Sequence, residues 1–163
     1  MKHLIKEKMM LYGASTKGRL EDLKDILEPL NGYKEPLSVT EEISKAGYYW
    51  TSLHYASHYG HYEVVQYLIE FLDDHPDKSD IFNMQTAEGK TPLFCAILSS
   101  DIDAKRKQQI IKLWFDTNQV DLKLRKSTGE DLLQIAKKNK QYDFIVEYCL
   151  REDWMDWIFN IDE

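Results

Sequence analysis

The chain repeats itself, and the repeat narrows the choice of fold more than any other feature. Leu11, Leu53, Leu93 and Leu133 anchor four similar segments, separated by 42, 40 and 40 residues. The fullest copy is TSLHYASHYGHYEVVQYLIE, residues 51–70. GKTPLFCAILSS (89–100), with QQIIKLWFD some residues later, and GEDLLQIAKKNKQYDFIVEYCL (129–150) follow the same plan. LYGASTKGRLEDLKDILE (11–28) is an earlier and weaker copy. A fixed period of this length marks a stacked array in which each unit buries its apolar face against the next.

Each copy has one physical grammar. A short helix opens beside a hydroxyl, as at Thr51 and Thr91, which satisfies amides left free in the first turn. Ala14, Ala56, Ala96 and Ala136 follow, small enough for a neighbouring helix to approach closely. Gly18 or Gly60 ends that helix, because glycine enters the left-handed region cheaply. A second helix then shows apolar residues at helical spacing: Leu23, Ile26 and Leu27; Val64, Val65, Leu68 and Ile69; Ile110, Ile111, Leu113 and Trp114; Phe144, Ile145, Tyr148 and Cys149. No strand-like alternation competes. The expectation is an all-α solenoid of about four helix–turn–helix units.

At this level of detail TSLHYASHYGHYEVVQYL and GKTPLFCA resemble the ankyrin repeat, whose unit opens T-P-L-H-x-A and continues through a G-H turn. Ser52 stands where the proline belongs, and Phe94 where the histidine belongs in the next copy. The first and fourth copies keep the hydrophobic skeleton and little of the signature. The resemblance implies a single ankyrin-repeat domain over 1–163, with repeats near 1–30, 45–72, 83–117 and 123–150.

A standard unit has about 33 residues, so every interval carries an insertion. Residues 29–50 hold a turn at Asn31–Gly32 and a segment, SVTEEISKA, able to form its own short helix. DDHPDKSDIF reads as an acidic, proline-containing loop, and SSDIDAKRKQQ lengthens the turn inside the third copy, with Asp101 or Asp103 as a helix cap. The Lys-rich start reads as an N-terminal cap. The tail REDWMDWIFNIDE (151–163), with Trp154 and Trp157, reads either as a C-terminal capping helix or as a docking motif for a partner.

His54, His58 and His61 raise the question of a metal site, since imidazoles at spacings of four and three would share a helix face. The repeat opposes it: the resemblance gives His54 hydrogen bonds to neighbouring loop backbone, and places His61 beyond the Gly60 turn. No metalloprotease, nucleophile-elbow or phosphate-loop motif occurs. Asp73, Asp74, Asp77 and Asp80 lack the glycine and terminal glutamate of a calcium loop. Lys105, Arg106 and Lys107 read as a solvated helix face. Cys95 and Cys149 lie in apolar runs and read as reduced core thiols. The net charge of −7 weighs against a nucleic-acid binder. The opening MKHLIKEKMMLYG lacks the apolar stretch of a secretory signal, and no window is long and apolar enough for a membrane span. The expected setting is the reducing cytoplasm, with cytoskeletal or ciliary association open.

The expected function is non-catalytic: protein–protein interaction, as an adaptor or a small structural subunit of a larger assembly. No cofactor, metal, small-molecule substrate, nucleic acid or membrane insertion is expected. A soluble regulatory or inhibitory protein of the same family is the alternative, ahead of a metal-dependent enzyme or nucleic-acid binder. The resemblance locates binding at the hairpin tips and late in each first helix. That projects to Tyr48, Trp50, His58 and Tyr59; to Gln85, Glu88 and Lys90; and to Arg125, Lys126 and Lys138, with Trp154 and Trp157 added if the tail docks. The surface so projected is aromatic at one end and basic at the other, matching a partner with apolar and acidic groups.

Overall fold

A computed structural model describes residues 2–28, 49–138 and 140–149. The insertion 29–48 and the tail 151–163 lie outside the described residues, and with them Tyr48, Trp154 and Trp157. The chain divides into two compact units, with the boundary between Val120 and Asp121.

The first unit holds three helical hairpins: α1 (Lys2–Lys17) with α2 (Leu20–Leu27), α3 (Ser52–Tyr59) with α4 (Tyr62–Phe71), and α6 (Pro92–Leu98) with α7 (Ala104–Asp116). The first helices stack in the order α1, α3, α6, and the second helices in the order α2, α4, α7. Ala14, Ala56 and Ala96 are fully buried in the first-helix layer, together with Leu11 and Leu53. The second layer buries Leu23, Leu27, Val64, Val65, Leu68, Ile110, Ile111 and Trp114. The Trp114 indole N–H donates to Ser57 Oγ at 3.2 Å, so this large ring carries no orphaned donor into the core.

Local signals place the helix ends. Thr91 Oγ1 accepts from Phe94 N and Asp103 Oδ1 from Arg106 N, which identifies Asp103 as the cap of the lengthened helix. Gly18 (φ +66°) and Gly60 (φ +77°) close the first two hairpins in the left-handed region. A side chain at either would be strained and would force a neighbour to shift. A Cβ on Gly18 would lie 2.5 Å from the His61 ring, and one on Gly60 would lie 2.8 Å from Ile102.

Two readings of the sequence need correction. The connector after α4 is not all loop: Lys78–Phe82 forms a helix, α5, burying Ile81 and Phe82. Phe82 meets Trp114 edge to face, with ring centroids 5.5 Å apart. An apolar pair inside an acidic segment thus anchors it to the second layer. Lys105–Lys107 is not uniformly solvated either. Lys107 is buried, and its ammonium donates to Ile97 O at 3.2 Å and Ser99 O at 2.6 Å. The free carbonyls at the end of α6 draw the cation inward.

The second unit contains the fourth hairpin, α8 (Leu132–Lys137) and α9 (Asp143–Cys149), joined through a 3-10 turn at Lys140–Tyr142. Asp131 caps α8 and forms a reciprocal box with Gln134. Burial falls on Leu132, Ile135 and Ala136, while the expected anchor Leu133 is half-buried. Spacings of three and four put those buried residues on one face of the short helix. Ile145 and Cys149 complete the core of this unit.

Candidate functional site

His54 shows how the tips are held. Thr51 N–H donates to His54 Nδ1 at 3.2 Å, and the Thr51 hydroxyl lies 2.8 Å from the same nitrogen. With Nδ1 accepting, the proton sits on Nε2, which donates to Met84 O at 3.0 Å and Lys90 O at 3.2 Å. One ring therefore ties the start of α3 to both flanks of the next tip. Burial holds its pKa down at about 4, against the opposing pull of the two carbonyls, so it is neutral at physiological pH. His61 is separate: its Nε2 lies 2.8 Å from Thr16 O, joining the second hairpin to the first. His58 faces Asp101, Nε2 to Oδ2 at 3.4 Å. The three histidines therefore have three different polar partners, and among the described residues no group of three His, Cys, Asp or Glu could hold a metal ion.

The tip before α6 is a tight turn. Thr86 N donates to Lys90 O at 2.9 Å and Gly89 N to Thr86 O at 2.8 Å, while Gln85 Nε2 reaches Gly89 O at 2.8 Å. Gln85 and Glu88 are exposed, and Lys90 pairs with Glu88. These three predicted site residues therefore share one loop whose backbone the His54 ring clamps.

Trp50, His58 and Tyr59 form a cluster with two rings absent from the expected set, Tyr12 and Tyr55. Tyr12 of α1 meets Tyr55 edge to face, centroids 5.1 Å apart. Tyr55 lies 4.9 Å from Trp50, Trp50 lies 5.4 Å from His58, and His58 lies 4.9 Å from Tyr59. Tyr12 and Tyr59 remain 40% and 39% exposed. Leu98, at the α6 position matching His58, is also 40% exposed. The sequence did carry a signal for Tyr12. It occupies the position in the first copy that His54 and Phe94 occupy in the second and third, so a ring there keeps the register of the repeat.

In the second unit, the cations expected to form a basic face already have anionic partners. Arg125 reaches Asp131 Oδ2 at 3.2 Å and donates to Gly129 O at 2.9 Å. Lys126 pairs with Glu130 at 3.0 Å, and Lys138 pairs with the same carboxylate. Bonds from Lys138, Lys126 and Thr128 hold Glu130 down at about 2. The local charge is therefore much less positive than Arg125, Lys126 and Lys138 imply by themselves.

Both thiols are free and buried, and burial pushes Cys95 up to about 12 and Cys149 up to about 11. Neither has thiolate character for chemistry at neutral pH. No helix among the described residues is long and apolar enough to cross a membrane.

The family of ankyrin repeats (3 copies) matches residues 11–106. No curated protein matches the chain. Among solved structures, the chain resembles the chaperone chain in the crystal structure of the yeast ribosomal protein Rps3 in complex with its chaperone Yar1. The TM-score is 0.68 at 21% identity, over 88% of this chain and 92% of that one. At that identity the likeness establishes the fold. Hairpins closed by left-handed glycines, a histidine clamping the next tip, and a family match across three of the four units agree: this chain belongs to the ankyrin-repeat family and is a protein–protein interaction module.

Proposed function

We propose that the protein is a non-catalytic adaptor, or a small structural subunit of a larger assembly, that holds a protein partner on its α1/α3 face. The observation that carries this is the continuous set of rings Tyr12, Tyr55, Trp50, His58 and Tyr59. Rigid aromatic side chains supply large contact area at small entropic cost, which is why Tyr and Trp recur at interface hot spots. Gln85, Glu88 and Lys90 supply polar contacts from the adjoining tip. The proposal takes residues 1–163 as one ankyrin domain in a reducing, cytoplasmic setting. Arg125, Lys126 and Lys138 remain partner-contact candidates, but an acidic partner group must compete with Glu130 and Asp131 for them.

A second reading, a dedicated escort for one client protein, is favoured by the fold likeness to a chaperone over nearly the full length of both chains. Affinity purification from the native cell, comparing wild type with Trp50→Ala and Tyr59→Ala, tests both. A single dominant protein lost in both variants supports the escort. Several co-purifying proteins lost together support the assembly subunit. Unchanged recovery in both variants rejects the aromatic face as the binding surface.

A further inference from the structure

Leu11, Ala14 and Ser15 turn one side of α1 into the core, and all three are fully buried. A surface helix packed this way should be polar on its opposite side. Instead, Lys6, Met9, Met10, Gly13 and Lys17 follow one another at i, i+3, i+4, i+7 and i+11, a single stripe facing away from the core. Met9 is 63% and Met10 46% exposed. Scattered apolar side chains on a surface are ordinary, but two adjoining methionines, with the exposed Tyr12 one turn from Met9, make a patch. Methionine is unbranched and adapts to a partner's shape, which suits it to binding surfaces.

Gly13 is a separate anomaly on the same stripe. Glycine weakens a helix interior relative to alanine, and here neither dihedral nor packing asks for it. Gly13 is not among the glycines with positive φ. A Cβ at its position would meet nothing within 4 Å except Arg19 Nη2 at 3.0 Å, the far end of an exposed side chain paired with Asp22. The glycine therefore leaves a shallow notch between Met9, Met10 and Lys17, where another backbone can come close. The stripe is also positive at both ends. Lys6 and Lys17 stand about 16 Å apart along the helix axis, and neither has a carboxylate partner among the described residues. Glu7, the only carboxylate in α1, falls on the core side with Leu11 and Ala14. In a chain of net charge −7, an apolar stripe with a free cation at each end is complementary to an acidic occupant.

We propose that this stripe docks an acidic amphipathic helix of a partner protein. The partner's apolar side chains lie on Met9 and Met10, and its backbone closes on Gly13. Two of its carboxylates, at the matching interval of i and i+11, pair with Lys6 and Lys17. A helix fits because it repeats apolar contacts at this interval over three turns, and a small residue at the crossing lets two helices approach. The contact uses none of Trp50, His58 and Tyr59, so it goes beyond the ring face and stands or falls separately from it.

The test uses the full chain, labelled with ¹⁵N, and the end-blocked peptide AEAALLAQLAQAEA, which carries the same stripe with glutamate for lysine and leucine at the apolar positions. Saturable shifts are expected at the amides of Met9, Met10 and Gly13. Affinity should fall about fivefold or more in K6E/K17E and in G13Q. The lysine counterpart AKAALLAQLAQAKA should bind K6E/K17E better than wild type, a gain that lost folding cannot produce. G13Q should melt no lower than wild type, because glutamine favours a helix over glycine. Unmoved α1 amides at millimolar peptide, undiminished binding by K6E/K17E or G13Q, or no reversal with the lysine peptide would each overturn the proposal. Shifts confined to Trp50, His58 and Tyr59 would overturn it while favouring the ring face. Capture by phosphatidylserine vesicles that is lost in K6E/K17E, without peptide shifts, would overturn it in favour of an anionic lipid surface.

Discussion

The His61 ring fills the space that a side chain on Gly18 would need: a Cβ there would lie 2.5 Å from Nδ1. Gly18 also has φ +66°, where L-residues are strained. Gly18→Ala should therefore destabilise the first unit by about 2–3 kcal/mol, from backbone strain and a forced shift of His61 together. In a His61→Ala background the same change should cost only about 1 kcal/mol, the backbone part. Gly129→Ala provides the control, because φ is +83° but nothing lies within 4 Å of its Cβ position. Urea denaturation of the four variants decides it, and equal costs with and without His61 would refute the packing argument.

His54 should make stability depend on pH. Its folded-state pKa is about 4, while an unfolded histidine titrates near 6.5. Between those values the unfolded chain binds more protons, so stability rises with pH across this window. The contribution is complete above about pH 6.5 and is lost as pH falls toward 4. At about 1.4 kcal/mol per pH unit the full effect is about 3 kcal/mol. His54→Gln should flatten this slope while keeping part of the cap, since Gln134 already performs that bond on Asp131 N in the fourth hairpin. Melting temperatures from pH 4 to 7.5 for both proteins would show it.

Lys107 should matter far more than its neighbour Lys105. Its ammonium satisfies the carbonyls of Ile97 and Ser99 in a buried site. Lys107→Ala should cost about 2 kcal/mol, and Lys107→Met should recover little of it, because the carbonyls stay unsatisfied. Lys105→Ala, at an exposed position, should stay within about 0.5 kcal/mol. Chemical denaturation separates these outcomes, and equal effects at the two lysines would show that Lys107 is not serving those carbonyls.

Cys95 and Cys149 offer one reporter in each unit. With both thiols buried and held up at about 12 and about 11, neither should alkylate in the folded protein at pH 8. In increasing urea a single ankyrin domain should expose both at the same midpoint. Two separated midpoints, read by mass spectrometry of iodoacetamide-labelled peptides, would instead show that residues 1–120 and 121–163 unfold independently.

What the sequence determined by itself was local. The four hairpins, the cap at Thr91, a cap at Asp101 or Asp103, the left-handed turns at Gly18 and Gly60, and the buried thiols follow from signals within a few residues of each other. The role of His54 was also legible, through the ankyrin resemblance, which implies hydrogen bonds from that position to neighbouring loop backbone. Tertiary structure decided what depends on how folded segments approach one another. Tyr12 joins the Trp50–His58–Tyr59 cluster only because α1 packs beside α3. The pair Ile81–Phe82 turns an acidic connector into a helix only because Trp114 lies under it. Lys107 leaves solvent only because α6 ends beside it. Arg125, Lys126 and Lys138 read as an open basic face although Glu130 and Asp131 lie within eight residues of each, because only the folded turn brings those charges together. Helical periodicity is written in each segment, whereas which charges and rings meet is set by how the backbone folds and the helices pack.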